Sequence, residues 1–172
     1  MRAFLAAFIL IACAPVFCEA ARFPLRGAAL QQRGVLRAGG AETAVNFYIS
    51  GGETIRARLA NDFGALASAE IGAAGNVVSC RGGAFMPDAD AEKFFLRPLL
   101  LSLGFYASFA PEIAHTCADS QGDALAVVFP AEGLYLEFSY GDFGGKRLPA
   151  GALVRSPKFE LELKTVKVFS KK

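Results

Sequence analysis

One oily stretch in the middle of the chain, Phe94–Ala110 (FFLRPLLLSLGFYASFA), constrains the fold most strongly. It is the most apolar run outside the N-terminus. A helix needs about 20 apolar residues to span a bilayer, and Arg97, Pro98 and Gly104 interrupt this stretch. We therefore expect a broken helical insert that packs on the rest of the protein. It either fills a core or forms a lid over a cavity.

The helical insert has start and stop signals of its own. Acidic side chains that complement a helix dipole in its first turn precede the oily run: Asp88, Asp90 and Glu92. We expect Pro98 to break the helix, because proline disfavours helical backbone at the preceding residue. Gly104 is predicted to cap the second piece. Pro111 and Glu112 are expected to open another short helix that runs through His115.

The segment before the insert alternates apolar and polar residues between turn signals, which is typical of antiparallel strands. It predicts a meander of about four strands that starts near Val45 and ends at Cys80. Residues before Gly34 are expected to be irregular. Arg56 and Arg58 are expected to form an outward basic face.

A row of small residues in this meander allows two interpretations. Ala65, Ala67 and Ala69 are expected to face inward together. They either pack closely against the helical insert, as close packing in protein interiors favours, or leave a concave face unfilled.

The segment after the insert predicts the second half of the sheet, resuming after Gly122. Leu148–Val154 resembles an edge strand because it contains Pro149. The alternation that begins at Phe159 slips in phase at Thr165, which predicts a β-bulge there. The predicted fold is mainly β with a helical insert, namely an incomplete (unclosed) antiparallel β-barrel covered by a helical lid.

The N-terminus predicts export. Arg2 and the apolar run Ala3–Val16 are typical of a signal peptide. Cleavage after Ala20 would remove residues 1–20 and leave a single domain of residues 21–172. Alternatively, residues 1–12 are a lipoprotein signal and Cys13 is lipidated. An uncleaved anchor is a third alternative. All three place the domain in the periplasm or on the periplasmic face of the outer membrane, either soluble or lipid-anchored.

Two cysteines flank the helical insert. Cleavage after Ala20 leaves only Cys80 and Cys117, an even pair that an oxidising compartment could join. A disulfide between them would tie the two roots of the lid together. Two reduced cysteines are the alternative.

The composition and motifs argue against several functional classes. A net charge of +2 is too weak to indicate a nucleic-acid partner. His115 is the only histidine, and neither a metal-spaced Cys/His cluster nor a glycine-rich phosphate motif is present. Gly141–Lys146 is interpreted as a hairpin loop. We therefore expect no catalytic residues, no cofactor and no metal, so that the protein is not an enzyme.

The order of these segments resembles the lipoprotein-localisation factors of the bacterial outer membrane, the LolA/LolB family, and LolB most. The helical insert Ala89–Gly104 sits where that family places helices. The other matching segments run from Gly34 to Phe169: Phe47–Ser50 (FYIS), Arg56–Gly64 (RARLANDFG), Leu134–Tyr140 (LYLEFSY), Leu148-Pro149 and Phe159–Leu163 (FELEL). The chain departs from the family in having no Trp, which often lines the family's cavity.

The resemblance implies a carrier that holds acyl chains of lipoproteins or other lipids in its cavity. It also implies an apolar residue on a strand-connecting loop that enters the membrane surface, which would be Phe63. A periplasmic lipoprotein carrier is an expected partner. A structural or accessory envelope protein on the same fold is the alternative. The candidate lipid-cavity residues are Phe47, Leu59, Phe94, Phe95, Leu99, Leu100, Leu103, Leu136 and Phe138.

Overall fold

The computed structural model describes residues 27–72, 74–83, 86–105, 115–118 and 124–170. Both interpretations of the signal segment, including the lipidation of Cys13, lie outside the described residues. The helix predicted from Pro111 lies outside them too, except for its last residue, His115. The boundaries of the single domain stay a prediction.

The described chain forms one sheet of ten antiparallel strands. The spatial order is β5-β4-β3-β2-β1-β10-β9-β8-β7-β6, so the strands β5 and β6 are its two edges and the sheet is not closed. The strands are β1 (Ala28–Ala38), β2 (Ala41–Gly51), β3 (Thr54–Asn61), β4 (Gly64–Gly72), β5 (Val77–Gly82), β6 (His115–Ala118), β7 (Ala124–Phe129), β8 (Leu134–Asp142), β9 (Arg147–Arg155) and β10 (Phe159–Ser170).

A continuous helical segment packs on one face of this sheet. It consists of α1 (Asp88–Ala91), a π-helical turn (Glu92–Leu96) and α2 (Arg97–Ser102). A short 3₁₀ turn (Pro130–Glu132) joins β7 to β8. Buried side chains of the helical segment and of the sheet belong to one hydrophobic core. The predicted unclosed antiparallel sheet with a helix on its concave face is therefore confirmed.

Alternation of apolar and polar residues fixes which face each strand buries. Val45, Phe47 and Ile49 of β2 are buried, whereas Tyr48 and Ser50 are exposed. The same pattern places Arg56 and Arg58 of β3 outward, as expected. The sheet therefore has an apolar concave face and a polar convex face.

Three predictions about the strands were wrong. The segment before Gly34 is not irregular but forms β1, which pairs with β2 and β10 in the centre of the sheet. The sheet resumes before Gly122, because His115 begins β6. The strand that contains Pro149 is interior, lying between β10 and β8.

The row of alanines is also not uniform. Ala67 and Ala69 are buried, but Ala65 is exposed, because the register of β3 and β4 shifts between Leu59 and Ala60. The two buried alanines belong to the hydrophobic core. Close packing therefore holds for this pair.

The bulge predicted at Thr165 is confirmed. Gln31 pairs with Lys167 and Gln32 pairs with Thr165, so Val166 is the extra residue of β10. The pairing of β9 with β8 also shifts, between Ser139 and Tyr140, next to Pro149. Proline cannot donate to a strand ladder and is tolerated at such irregularities, which explains a proline inside an interior strand.

The helix does not break at Pro98, contrary to the prediction. Arg97, the residue before it, has helical dihedrals (φ −60°, ψ −51°). The N–H of Arg97 donates to the carbonyl of Glu92, five residues back, which is the π-helical pattern. This wider turn lies just where a proline ring would otherwise crowd the preceding turn of the helix.

Gly104 ends the helix, as predicted. Its φ is +88°, a backbone conformation that glycine adopts without steric cost. Its N–H donates to the carbonyl of Leu101 and the N–H of Phe105 donates to that of Leu100, both at 3.0 Å. This pair of bonds is a Schellman motif.

Strands β1 and β10 approach each other closely at Gly34, and a substitution there tests this fold. A Cβ at Gly34 would overlap the backbone carbonyl of Glu162 on β10. We expect Gly34→Ala to lower the free energy of unfolding by about 1–3 kcal/mol, the usual effect of overpacking, as measured by urea denaturation. Gly52→Ala is the control, since the nearest atom to its Cβ would be 3.7 Å away. Equal stability of both variants would contradict the pairing of β1 with β10.

Candidate functional site

A small apolar cavity lies between the helical segment and the concave face of the sheet. Its volume is about 30 Å³, enough for a single water-sized group. Both the helix and strands from the two halves of the sheet line it. The lining residues are Gln32, Phe47, Ile49, Leu59, Phe94, Phe95, Pro98, Leu99, Ser102, Phe138, Pro149, Ala152, Val154, Leu161 and Leu163.

The structure brings most of the predicted lipid-cavity residues together. Those that line the cavity are Phe47, Leu59, Phe94, Phe95, Leu99 and Phe138. Leu100, Leu103 and Leu136 are buried in the surrounding core without lining it. All nine therefore lie in the same apolar interior, while their contact with a lipid stays a prediction.

Sequence reasoning missed the residues that β1, β9 and β10 contribute. Leu161 and Leu163 could have been found, because their alternation in β10 was recognised. Gln32 could not, because a polar side chain in a segment expected to be irregular carries no signal for the wall of a cavity. The inward position of Ala152 and Pro149 on β9 was hidden by the edge-strand interpretation.

Aromatic contacts fix the helix against the wall of the cavity. The ring of Phe95 meets the ring of Phe47 on β2 edge-to-face, with centroids 5.7 Å apart. Phe94 meets Phe159 of β10 in the same way at 5.1 Å. Such pairs contribute about 0.5–1.5 kcal/mol beyond the burial of their area. They join the helix to strands on both sides of β1.

Two polar contacts also hold the helical segment. Arg97 donates from Nη1 to Oε1 of Glu132 in the 3₁₀ turn at 2.8 Å, and both side chains are largely buried. The Arg97 guanidinium also lies 5.8 Å from the ring centroid of Phe129. At the start of the helix, Oδ1 of Asp88 accepts from the backbone N–H of Gly82 at 2.7 Å. Apolar packing of its buried side chains also supports the helix.

A polar relay sits in the wall of the cavity at the β10 bulge. Nε2 of Gln32 donates to Oγ1 of Thr165 at 2.9 Å, and Thr165 donates to the carbonyl of Pro149 at 2.7 Å. Gln32 is 2% exposed. The relay connects β1, β10 and β9 where the bulge interrupts regular pairing.

Phe63 lies at the tip of the β3–β4 hairpin and is 85% exposed. Its backbone N–H donates to Oδ1 of Asn61 at 3.0 Å, which forms the turn. Exposing a phenyl ring so fully forgoes the free energy of burial. The structure therefore presents this ring to its surroundings, and its membrane role stays a prediction.

The convex face of the sheet carries a basic row. Arg33, Arg58 and Lys164 are exposed there, and none of them has an ion pair with a described carboxylate. The Glu70 carboxylate is paired with Arg56 at 3.2 Å. The hydroxyl of Thr54 and the guanidinium of Arg56 hold the pKa of Glu70 below its usual value. Arg33, Arg58 and Lys164 therefore carry positive charge that no described carboxylate pairs, next to the paired charges of Arg56 and Glu70.

Cys80 lies on β5 with its side chain partly buried against the core. The structure describes it as a free cysteine, while the choice between a bridge to Cys117 and two reduced cysteines stays a prediction. It pairs with Ala69 on the concave face, whereas Cys117 pairs with Ala126 on the opposite edge of the sheet. The side chain of Cys117 lies outside the described residues.

Metal-binding clusters and membrane-spanning helices are both missing from the described part of the chain. It contains no group of three or more His, Cys, Asp or Glu side chains that could hold a metal ion. Its helices are too short or too polar for any of them to cross a bilayer.

Comparisons with known proteins give only distant structural similarity. Neither a sequence-family model nor a curated protein sequence matches the chain. Among solved structures, a LolA superfamily protein from Nitrosomonas europaea is 9% identical, with 91% of each chain covered and a TM-score of 0.45. A DUF1329 family protein from Desulfovibrio piger is 10% identical, with 83% of this chain and 85% of that chain covered and a TM-score of 0.39.

A domain assigned to outer membrane lipoprotein sorting, from Vibrio parahaemolyticus, is also similar. It is 8% identical, 86% of each chain is covered, and the TM-score is 0.38.

The reactivity of the Cys80 thiol tests the environment that the structure gives this residue on β5. Burial raises the pKa of the Cys80 thiol, and the carboxylates of Glu92 and Asp88 raise it further. Because the thiolate is the reactive form, we expect Cys80 to alkylate more slowly than free cysteine near pH 8, as followed by mass spectrometry of its peptide. Glu92→Gln should speed the reaction, while Glu42→Gln, a change at a distant exposed residue, should not. Alkylation as fast as that of free cysteine would contradict this environment.

Proposed function

We propose that this protein is a periplasm-facing carrier that holds acyl chains of lipoproteins or other lipids between its helix and its sheet, assisting lipoprotein localisation to the outer membrane. It acts by binding and release, without catalysis. The observation that carries the proposal is the apolar cavity under the helix, lined by Phe, Leu and Ile side chains from the helix and from both halves of the sheet. The order of sequence segments that resembles the LolA/LolB family supports the same function.

The cavity is too small for an acyl chain in this state. Ligand pockets usually measure about 300–1,000 Å³, whereas this one measures about 30 Å³. An acyl chain therefore enters only if the helix moves away from the sheet. We propose that the helical segment is the lid that makes this movement.

Apolar packing sets the conditions for that movement. The helical segment and its C-cap residue Leu103 bury seven large apolar side chains: Phe94, Phe95, Leu96, Leu99, Leu100, Leu101 and Leu103. Exposing them to water would cost on the order of 10 kcal/mol, at about 1.5–3 kcal/mol for each full burial. An acyl chain of about 14 methylene groups gains a comparable amount, at about 0.8 kcal/mol for each one buried. The helix is therefore displaced by a ligand rather than opening alone.

The second candidate is a structural or accessory envelope protein on the same fold. The small volume of the cavity favours it, because a filled core needs no ligand. The two candidates differ in whether the space under the helix expands to accept an acyl chain.

Filling the cavity separates these candidates. Ala152 lines the cavity, so Ala152→Phe should occupy the space an acyl chain would enter. Native mass spectrometry of protein extracted from membranes should find lipid or lipopeptide bound to the wild type and at least tenfold less on the variant. Ala44→Phe, at an exposed position of β2, is the matched control and should retain the ligand. A ligand-free wild type that also binds no added acyl probe would favour the structural role.

We further propose that the tip of the β3–β4 hairpin enters a membrane surface while nearby cations contact anionic lipid headgroups. Phe63 supplies an exposed ring for the acyl boundary. Arg33 and Lys164 pair with each other across β1 and β10, and Arg58 lies on the same convex face. Basic side chains near an anionic membrane contribute about 1 kcal/mol each, which adds to the insertion of one aromatic ring.

Vesicle flotation with anionic phospholipid tests the tip. Phe63→Glu should reduce the bound fraction severalfold, because a carboxylate at the tip is repelled by the headgroups and does not enter the acyl boundary. Val78→Glu is the matched control: Val78 is also exposed, near the start of β5, and the change adds the same charge. If both variants bind alike, the tip is not the contact. Arg58→Glu should weaken binding to anionic but not to zwitterionic vesicles.

A further inference from the structure

Two polar side chains, Gln32 and Ser102, interrupt the apolar wall of the cavity. Gln32 is 2% exposed and lies between Phe47 of β2 and Thr165 of β10 in the strand register. Ser102 is the other hydroxyl- or amide-bearing residue among the described lining, and its hydroxyl donates to Leu99 within its own helix at 2.7 Å. Gln32 therefore supplies an amide group to a largely apolar surface.

The surrounding bonds fix how this amide is oriented. The carbonyl of Pro149 can only accept a hydrogen bond, so the Thr165 hydroxyl must be the donor in that bond. The oxygen of Thr165 then accepts from Gln32, which must present its NH₂ group and not its carbonyl. The second N–H and the Oε1 atom of Gln32 take no part in these bonds.

Neither of those remaining groups is satisfied within the described structure. Within the described part of the chain, Oε1 of Gln32 takes part in no hydrogen bond, and neither does the second N–H. No buried side-chain atom of the described residues is sealed without a partner, so Oε1 borders accessible space. Polar groups inside proteins are normally hydrogen-bonded, and the space that this side chain lines is the cavity the proposed carrier would use.

We propose that Gln32 is a hydrogen-bonding subsite for a neutral carbonyl, so that the protein selects acyl esters and acyl amides over free fatty acids. This inference rests on the proposed carrier function. The second N–H of Gln32 donates to the carbonyl oxygen of the ligand. None of the described lining residues is charged. A fatty-acid carboxylate would therefore lose its hydration without gaining a cation, which is unfavourable in an apolar site.

Gln32 could instead serve only to hold the bulge. Substitutions of Thr165 and of Gln32 distinguish this structural role from ligand binding. Thr165→Val removes the bond to Gln32 but keeps the amide in the cavity. Gln32→Leu removes the same bond together with the amide. If Gln32 only supports the bulge, both variants should behave alike in every assay. If it contacts the ligand, only Gln32→Leu should change the choice of ligand.

Competition with a neutral fluorescent probe, N-phenyl-1-naphthylamine, measures this choice. The competitors share one chain length: methyl dodecanoate, N-methyldodecanamide, dodecane and dodecanoate. At about pH 8 the free acid is ionised, because carboxyl groups titrate near pH 4. We expect the wild type to bind the ester and the amide about 3- to 10-fold more tightly than dodecane, as one hydrogen bond provides, and to bind dodecanoate most weakly.

In Gln32→Leu the ester and the amide should bind no better than dodecane, while dodecane binds as in the wild type. Thr165→Val should retain the preference at a similar loss of thermal stability. A wild type without preference, or a preference that survives in Gln32→Leu, would overturn the inference and leave the carrier function intact. If the wild type binds neither the probe nor any chain, the carrier function itself is wrong and the inference falls with it.

Discussion

The packing of one apolar helix onto the concave face of an open sheet is the interaction on which this structure depends. An antiparallel sheet of this length with one apolar face must cover that face or close on itself. Here the sheet stays open between β5 and β6, and the helical segment covers its concave face instead. The same contact creates the core and leaves only a small cavity beside it. Its strength therefore contributes to stability, and in the proposed carrier it would also govern access to the cavity.

The polar features of the structure cluster where that arrangement is irregular. The bulge in β10 and the proline in β9 remove regular ladder bonds at neighbouring positions. The relay from Gln32 through Thr165 to Pro149 replaces them with side-chain bonds. A carrier needs a wall that is apolar enough to hold a chain and specific enough to place it. In the proposed carrier the apolar lining would hold the chain, and the polar group at the irregularity would place it.

Much of the fold could be predicted from the sequence because period-two alternation is a strong signal. The outward face of β3 and the alternation of β10 were predicted correctly. So was the bulge at Thr165, since one extra residue in a strand shifts the alternation by one position, and that shift is visible in the sequence. The Schellman cap at Gly104 was likewise a local signal. These features depend on residues close together in the chain.

The failures involve tertiary context. β1 was missed because its inward residues include Gln32 and Gly34, a buried amide and a glycine that only make sense opposite β10. Pro98 was expected to break the helix, but a π-helical turn before it accommodates the ring. Neither the pairing with β10 nor the π-helical turn can be predicted from the local sequence of β1 or from Pro98 alone. The set of predicted cavity residues therefore covered much of the helix and β2 but lacked β1, β9 and β10.

The most direct test of the account is the movement of the helix when an acyl chain binds. Spin labels at Glu92→Cys on the helix and Ala44→Cys on β2, in a background with the native cysteines replaced by serine, report the distance between the two elements by pulsed electron paramagnetic resonance. The account predicts one short distance without ligand and a shift to a longer distance when an acyl amide is bound. An unchanged distance distribution with the ligand demonstrably bound would contradict the claim that the helix is the lid.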